Sequence, residues 1–194
     1  MQVMDERKRA KILSAAAELF AAQPFHKVLL SEVAEAAAVG KGTLYVYFKN
    51  KEELYLSVLY SGFSDLVDRL HEQMATGSAD PVENLQTVIR ETIRFAFQNP
   101  HVFELMRTVS GRHPVDRAQW DAKRRELKAL IESIIRKGIA QGIFIDAHPQ
   151  LTARYIPGMV RGALIDGIES VDPEMLTAHI VRFVLGAIGT TENV

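Results

Sequence analysis

Residues 31–51 constrain this chain more than any other stretch: Ser-Glu-Val-Ala-Glu-Ala-Ala-Ala-Val-Gly, then Lys-Gly-Thr-Leu-Tyr-Val-Tyr-Phe-Lys-Asn-Lys. Val33, Ala34 and Ala37 fall at the spacing of one buried helical stripe. The pattern predicts a short helix from Ser31 to about Ala38, with the Ser31 hydroxyl as its cap and Glu32 and Glu35 near its positive end. Val39 and Gly40 interrupt the pattern before a second short helix from about Lys41 to Phe48. The result is helix, tight turn, helix.

The second helix has an unusual outer side. Leu44 and Phe48 are four residues apart and can face inward together, which turns Thr43, Tyr45, Val46 and Tyr47 to other faces. Lys41, Lys49 and Lys51 flank them, and no acid lies between residues 36 and 51. Aromatic hydroxyls in an uncompensated basic rim suit a phosphate backbone, with the helix lying in a DNA major groove about 12 Å wide. Packing of both tyrosines against neighbouring helices is the alternative that these residues leave open.

Leu30-Ser31-Glu32-Val33-Ala34, Val39, Gly42-Thr43-Leu44-Tyr45, Tyr47-Phe48 and Lys51-Glu52-Glu53-Leu54 together resemble the DNA-binding signature of the tetracycline-repressor-like (TetR) family of transcriptional regulators. The likeness covers roughly residues 8 to 55; the remainder agrees in length and helical character. The resemblance implies an operator-binding homodimer with a small-molecule effector pocket in the later half. Matched positions give Ser31, Lys41, Thr43, Tyr45, Val46, Tyr47 and Lys51 as DNA contacts. Thr43 and Val46 are placed at bases, and the others at phosphates. One departure stands out: Ala38 occupies a turn position where the family usually has glycine. A left-handed alanine there costs about 1 kcal/mol, unless Gly40 relieves the turn instead.

The chain has 194 residues, enough for a sizeable core in one domain or two small ones. A formal net charge of −1 argues against a general nucleic-acid coat. Residues 1 to 55 hold 8 Lys/Arg against 7 Asp/Glu, yet Arg7, Lys8, Arg9 and Lys11 form a second basic cluster beside the one at 41 to 51. Two local patches suffice for a reader that touches a few phosphates. Cysteine is absent, which removes disulfides, thiol nucleophiles and cysteine-based zinc sites. No apolar run reaches the roughly 18 residues of a bilayer span, and the charged N-terminus is unlike a signal peptide, so a cytoplasmic protein is expected.

An all-α chain follows from the periodicity, and the resemblance implies a helix-turn-helix head over 1–50 and a ligand-binding and dimerisation bundle over 51–194. The first helix runs from about Asp5 to Ala22, with Ile12, Leu13, Ala16, Leu19 and Phe20 at core spacing. Asn50 with Glu53 three residues on reads as the capping arrangement of a long helix over 51–74, with Leu54, Val58, Phe63, Leu66, Val67 and Leu70 buried. Asp80-Pro81 starts a helix to Gln98, and Asn99-Pro100 separates it from a shorter one near 101–110. A further helix covers about 115–140 and is closed by Gly142. The last two span 149–170, with Pro157 as a predicted kink, and 173–188 capped by Asp172. Gly158, Gly162, Ala163 and Gly167 beside the seam Leu176, Ile180, Phe183, Val184 and Ala187 predict a homodimer bundle through these two helices, with intrachain packing the competing explanation.

Six histidines at 26, 71, 101, 113, 148 and 179 lack the spacing of a helical metal site, and no glycine-rich phosphate loop or nucleophile turn occurs. No metal, cofactor or enzymatic activity is expected. Phe63, Phe95, Phe103, Met106, Trp120, Tyr155 and Met159 are the candidate lining of a mainly apolar effector site. Arg94, His101, Glu104 and Arg107 could supply orienting polar groups. A helical ligand-binding or interaction module without operator recognition is the rival function.

Overall fold

The computed structural model describes residues 5–99, 117–164 and 171–189. Among them are eight α-helices: α1 Glu6–Ala22, α2 Leu30–Ala36, α3 Lys41–Tyr47, α4 Lys51–Thr76, α5 Pro81–Gln98, α6 Arg117–Ala140, α7 Pro149–Leu164 and α8 Pro173–Ile188. The expected helix near 101–110 lies outside the described residues, as do 165–170 of the penultimate helix.

Helix starts follow their caps. The carboxylates of Asp5, Asp80 and Asp172 accept from the amides of Arg7, Val82 and Met175, satisfying donors that the helix itself leaves open. At α4 the Asn50 side-chain oxygen accepts from the Glu53 amide at 2.7 Å, while the Glu53 carboxylate reaches back to the Lys49 amide at 2.9 Å. The α2 start differs from expectation. Its cap position is Leu29, and the Glu32 carboxylate accepts from the Leu29 amide at 3.0 Å. Ser31 therefore lies in the first turn with its side chain exposed and is not the cap.

The described residues divide into two units within α4. One comprises the chain up to Gly62 together with the segment ending at Trp120; the other takes up from Phe63 and from Asp121.

In the first unit α1 packs on α2 and α2 on α3. Ile12, Ala16, Val28, Val33, Leu44, Phe48 and Leu54 are sealed in one cluster. Truncating a side chain such as Leu44 to alanine in a core of this kind costs about 2–5 kcal/mol. A second cluster of Tyr55, Leu56 and Leu59 is edged by Phe20, Phe25, Tyr60 and Trp120. The first turns of α4 thus belong to the core of the head.

In the second unit α5 packs on both α7 and α8, and α7 packs on α8. Leu85, Val88, Ile89 and Ile93 of α5, Ile156 and Val160 of α7, and Ile180 and Val184 of α8 are buried there. Gly142, at φ +72°, closes α6 as the sequence predicts. Gly138 has a separate role: a Cβ there would run into the Phe144 ring, which folds back over the helix end. The Ile145 amide then donates to the Ile188 carbonyl at 2.7 Å, tying that return to the end of α8. Pro157 sits inside α7.

Candidate nucleic-acid interface

The turn between α2 and α3 is the first element of the site. The Val39 amide donates to the Ala34 carbonyl and the Ala38 amide to the Glu35 carbonyl, each at 2.9 Å. This pair of bonds requires a left-handed residue just past the helix end. Ala38 supplies it at φ +53°, while Gly40 has φ −66° and serves as the extended cap of α3. Gly40 does not relieve the turn; the strain stays on Ala38.

That turn aims α3. Leu44 and Phe48 are buried beneath it, as their spacing predicts, and Val46 and Tyr45 remain 60 % and 46 % exposed on its outer side. Lys41, Gly42 and Ser31 are exposed and Thr43 is half-buried. Leu29, which the sequence did not single out, is 55 % exposed at the cap of α2. Its signal was Glu32, whose position three residues later marks Leu29 as the cap.

Tyr47 and Lys51 are committed within the head. The Tyr47 hydroxyl accepts from the Asp5 amide at 3.0 Å and donates to the Asp5 carbonyl at 3.2 Å. The Lys51 ammonium donates to the carbonyls of Phe25 at 2.9 Å, Val28 at 3.1 Å and His26 at 3.3 Å, and stands 4.6 Å from the centre of the Phe25 ring. Three donors on three carbonyls engage the hydrogens of this ammonium within the head. Arg9, in the basic cluster of α1, lies over the Phe48 ring at 5.7 Å.

The models of two known families match this chain. Residues 12–58 match that of bacterial regulatory proteins of the tetR family, and residues 78–164 that of the tetracyclin repressor-like C-terminal domain. The chain belongs to the TetR family of transcriptional regulators. It is 40 % identical over 86 residues to the uncharacterized HTH-type transcriptional regulator YxaF of Bacillus subtilis, a match over 43 % of this chain and 44 % of that one. The chain thus spans less than half the length of that curated relative. With the HTH-type transcriptional regulator UidR of Escherichia coli the likeness covers 98 % of this chain and 97 % of the relative, at 26 % identity. The crystal structure of the transcriptional regulator FadR from Bacillus subtilis in complex with stearoyl-CoA has the same fold. Its TM-score is 0.65 at 20 % identity, over 91 % of this chain and 97 % of that one.

Of the residues expected at an effector site in this TetR-family chain, Phe63, Phe95, Tyr155 and Met159 belong to the second unit and Trp120 to the first. Phe63 and Phe95 meet, with ring centres 5.8 Å apart, and Met159 is half-buried on α7. Trp120 packs edge-on against Tyr60 at 5.5 Å in the first unit. Tyr155 is 59 % exposed on α7. Phe103 and Met106 lie outside the described residues. Among the described residues no three His, Asp or Glu side chains gather as a metal site, and no helix is long and apolar enough to cross a membrane.

Proposed function

We propose that this protein is a homodimeric repressor that binds a palindromic operator and is released by a mainly apolar small molecule. Residues 1–50 act as the reader and 51–194 as the ligand-binding and dimerisation part. The observation that carries the operator function is the outer side of α3. Its inward residues Leu44 and Phe48 are sealed, while Tyr45 and Val46 stay exposed beside Lys41. An exposed valine and tyrosine on a seven-residue helix need a covering partner, and a major groove fits that width. Val46 and Thr43 face bases; Ser31, Tyr45 and Lys41 face phosphates. Tyr47 acts through its hold on Asp5.

The dimer surface is assigned to α7 and α8. Tyr155, Gly158 and Gly162 form one exposed stripe, and Met175, His179, Phe183 and Gly186 form another. Cβ atoms added at Gly158, Gly162 or Gly186 would meet nothing within 4 Å, which leaves room for a second helix to approach closely. Exposed aromatic bodies beside that space favour burial against the same pair from a second copy.

Selection of bound duplexes from a random pool tests the operator function. Enrichment of an inverted repeat with half-sites about one helical turn apart, or a multiple, is expected. Absence of any enriched sequence overturns it in favour of a ligand-binding module without DNA recognition. The effector is tested with stearoyl-CoA, the molecule bound in the FadR structure, as first probe. A ligand that binds tightly yet leaves affinity for the selected duplex unchanged is not the effector, because only differential affinity shifts an equilibrium.

A further inference from the structure

We infer that Lys51 is a positioning residue for DNA recognition, joining the first turn of α4 to the segment that launches α2. The inference rests on the operator function proposed above. The carbonyls of Phe25, His26 and Val28 lie outside any helix, between the end of α1 and the start of α2. Lys51 Nζ meets all three, at 2.9, 3.3 and 3.1 Å, so one side chain fixes three successive points of that segment. The Phe25 ring beneath the ammonium adds a cation–π contact at 4.6 Å.

Tyr55, one turn further along α4, grips the same segment from its apolar side. Its ring lies 5.1 Å from Phe25 and 4.8 Å from Phe20, and Phe20 and Phe25 are themselves 5.7 Å apart. Residues four apart share a helix face, so Lys51 and Tyr55 form a polar and an apolar jaw on one loop. Val28, whose carbonyl Lys51 holds, is fully buried in the cluster that also contains Val33 and Leu44. A rotation of the start of α4 is therefore passed to α2 and, through the turn at Ala38, to α3.

A lysine on a phosphate and a lysine clamping a loop differ in one measurable respect. Loss of a phosphate contact lowers the slope of log affinity against log salt by about 0.9, whereas loss of a clamp lowers affinity at unchanged slope. The test uses the full chain, a duplex enriched from a random pool by the wild-type protein, and hydrogen exchange at the amides of Lys27, Leu29 and Val33. Lys51→Met is expected to weaken binding by about tenfold with the slope preserved, and to speed exchange at those amides. Phe25→Leu keeps the lysine charge and is expected to act in the same direction, with the double variant no worse than the stronger single one. Should Lys51→Met fail to fold, Phe25→Leu decides by the same readouts. A slope reduced by about 0.9 with unchanged exchange, or fully additive losses, overturns the inference. If the wild-type protein enriches no duplex, the operator function falls, and the exchange measurement still decides whether Lys51 holds the loop.

Discussion

The Tyr47 hydroxyl closes on both backbone groups of Asp5, accepting from its amide and donating to its carbonyl, so the last turn of α3 is fastened to the cap of α1. Forty-two residues of sequence separate the two. The fastening brings the start of α1, with Arg7 and Lys8, beside the candidate DNA-reading helix.

Tyr47→Phe removes that fastening and leaves the ring. Because the bonds are solvent-exposed, the loss in unfolding free energy is expected to be small, about 0.5–1 kcal/mol. DNA affinity should fall further than stability implies, since the basic cluster at the start of α1 loses its register with α3. Chemical denaturation and binding to a selected duplex, measured on the same sample, check both.

Ala38→Gly is expected to stabilise the head. A left-handed alanine is strained by roughly 1–2 kcal/mol, and the extra freedom of glycine in the unfolded chain returns about 0.4–1 kcal/mol of that, leaving a net gain of about 0.5–1 kcal/mol. Gly40→Ala is the control. Its φ of −66° suits alanine, and a Cβ there would meet Thr43 Oγ1 at an ordinary 3.7 Å, so little change is expected. In thermal melts Ala38→Gly should therefore unfold above the wild-type chain and Gly40→Ala close to it.

Lys41→Ala and Val46→Ala are expected to fail differently on DNA. The lysine variant should weaken all duplexes alike and lower the salt slope by about 0.9. The valine variant should lose about 1–3 kcal/mol of discrimination at one base pair and keep the salt slope. Equal losses on every sequence from Val46→Ala would remove that residue from the base-reading set.

Asp68 and Lys123 join α4 to α6 at 2.7 Å, with Glu126 also accepting from the lysine at 2.8 Å. The hydrogen bond from Lys123 holds the Asp68 carboxyl below its ordinary 3.8, and bonds to Asp68 and Glu126 push Lys123 up to about 12. A depressed carboxylate stabilises the fold above its unfolded pKa, and that contribution is lost as pH falls through the folded value. The raised lysine works the other way: its contribution is present below 10.5 and disappears as pH rises towards about 12. Asp68→Asn should flatten the acid limb of the stability profile below about pH 4, measured by urea midpoints, and the difference should shrink at high salt because Asp68 is exposed.

The helical periodicity, the caps at Asp80 and Asp172, and the sealed pair Leu44 and Phe48 were all legible in the sequence, because each depends on neighbours within one or two turns. Lys51 was not. Its basic surroundings at 41 to 51 pointed to phosphate, but the carbonyls it meets lie 23 to 26 residues away, beyond any local pattern. The exposure of Tyr155 was hidden for the same reason: an aromatic on an amphipathic helix gives no local sign of which side it takes, and only the fold puts it on an exposed face. Ser31 shows a subtler limit. A serine is the better cap by chemistry, yet Glu32 reaching the Leu29 amide sets the cap two residues before it.

The assignment of the dimer face to α7 and α8 makes an unusual demand on Gly162. Inside the protomer it is exposed, and a Cβ there would touch nothing within 4 Å. Glycine in a helix interior costs about 1 kcal/mol relative to a good helix former, so Gly162→Leu should leave the protomer folded and its helix stiffer. If the space beside Gly162 belongs to a second copy, however, four added carbons hold the two helices apart and expose Phe183, which is already 61 % exposed in the single chain. Sedimentation of the variant is then expected to give monomer at concentrations where the wild-type chain is dimeric, with helical content retained. Binding to a two-half-site duplex should fall steeply, while binding to a single half-site should change little, because only the joint placement of two heads is lost. A Gly162→Leu protein that sediments as the wild-type dimer would place the interface elsewhere and leave the small residues of α7 without a partner to explain them.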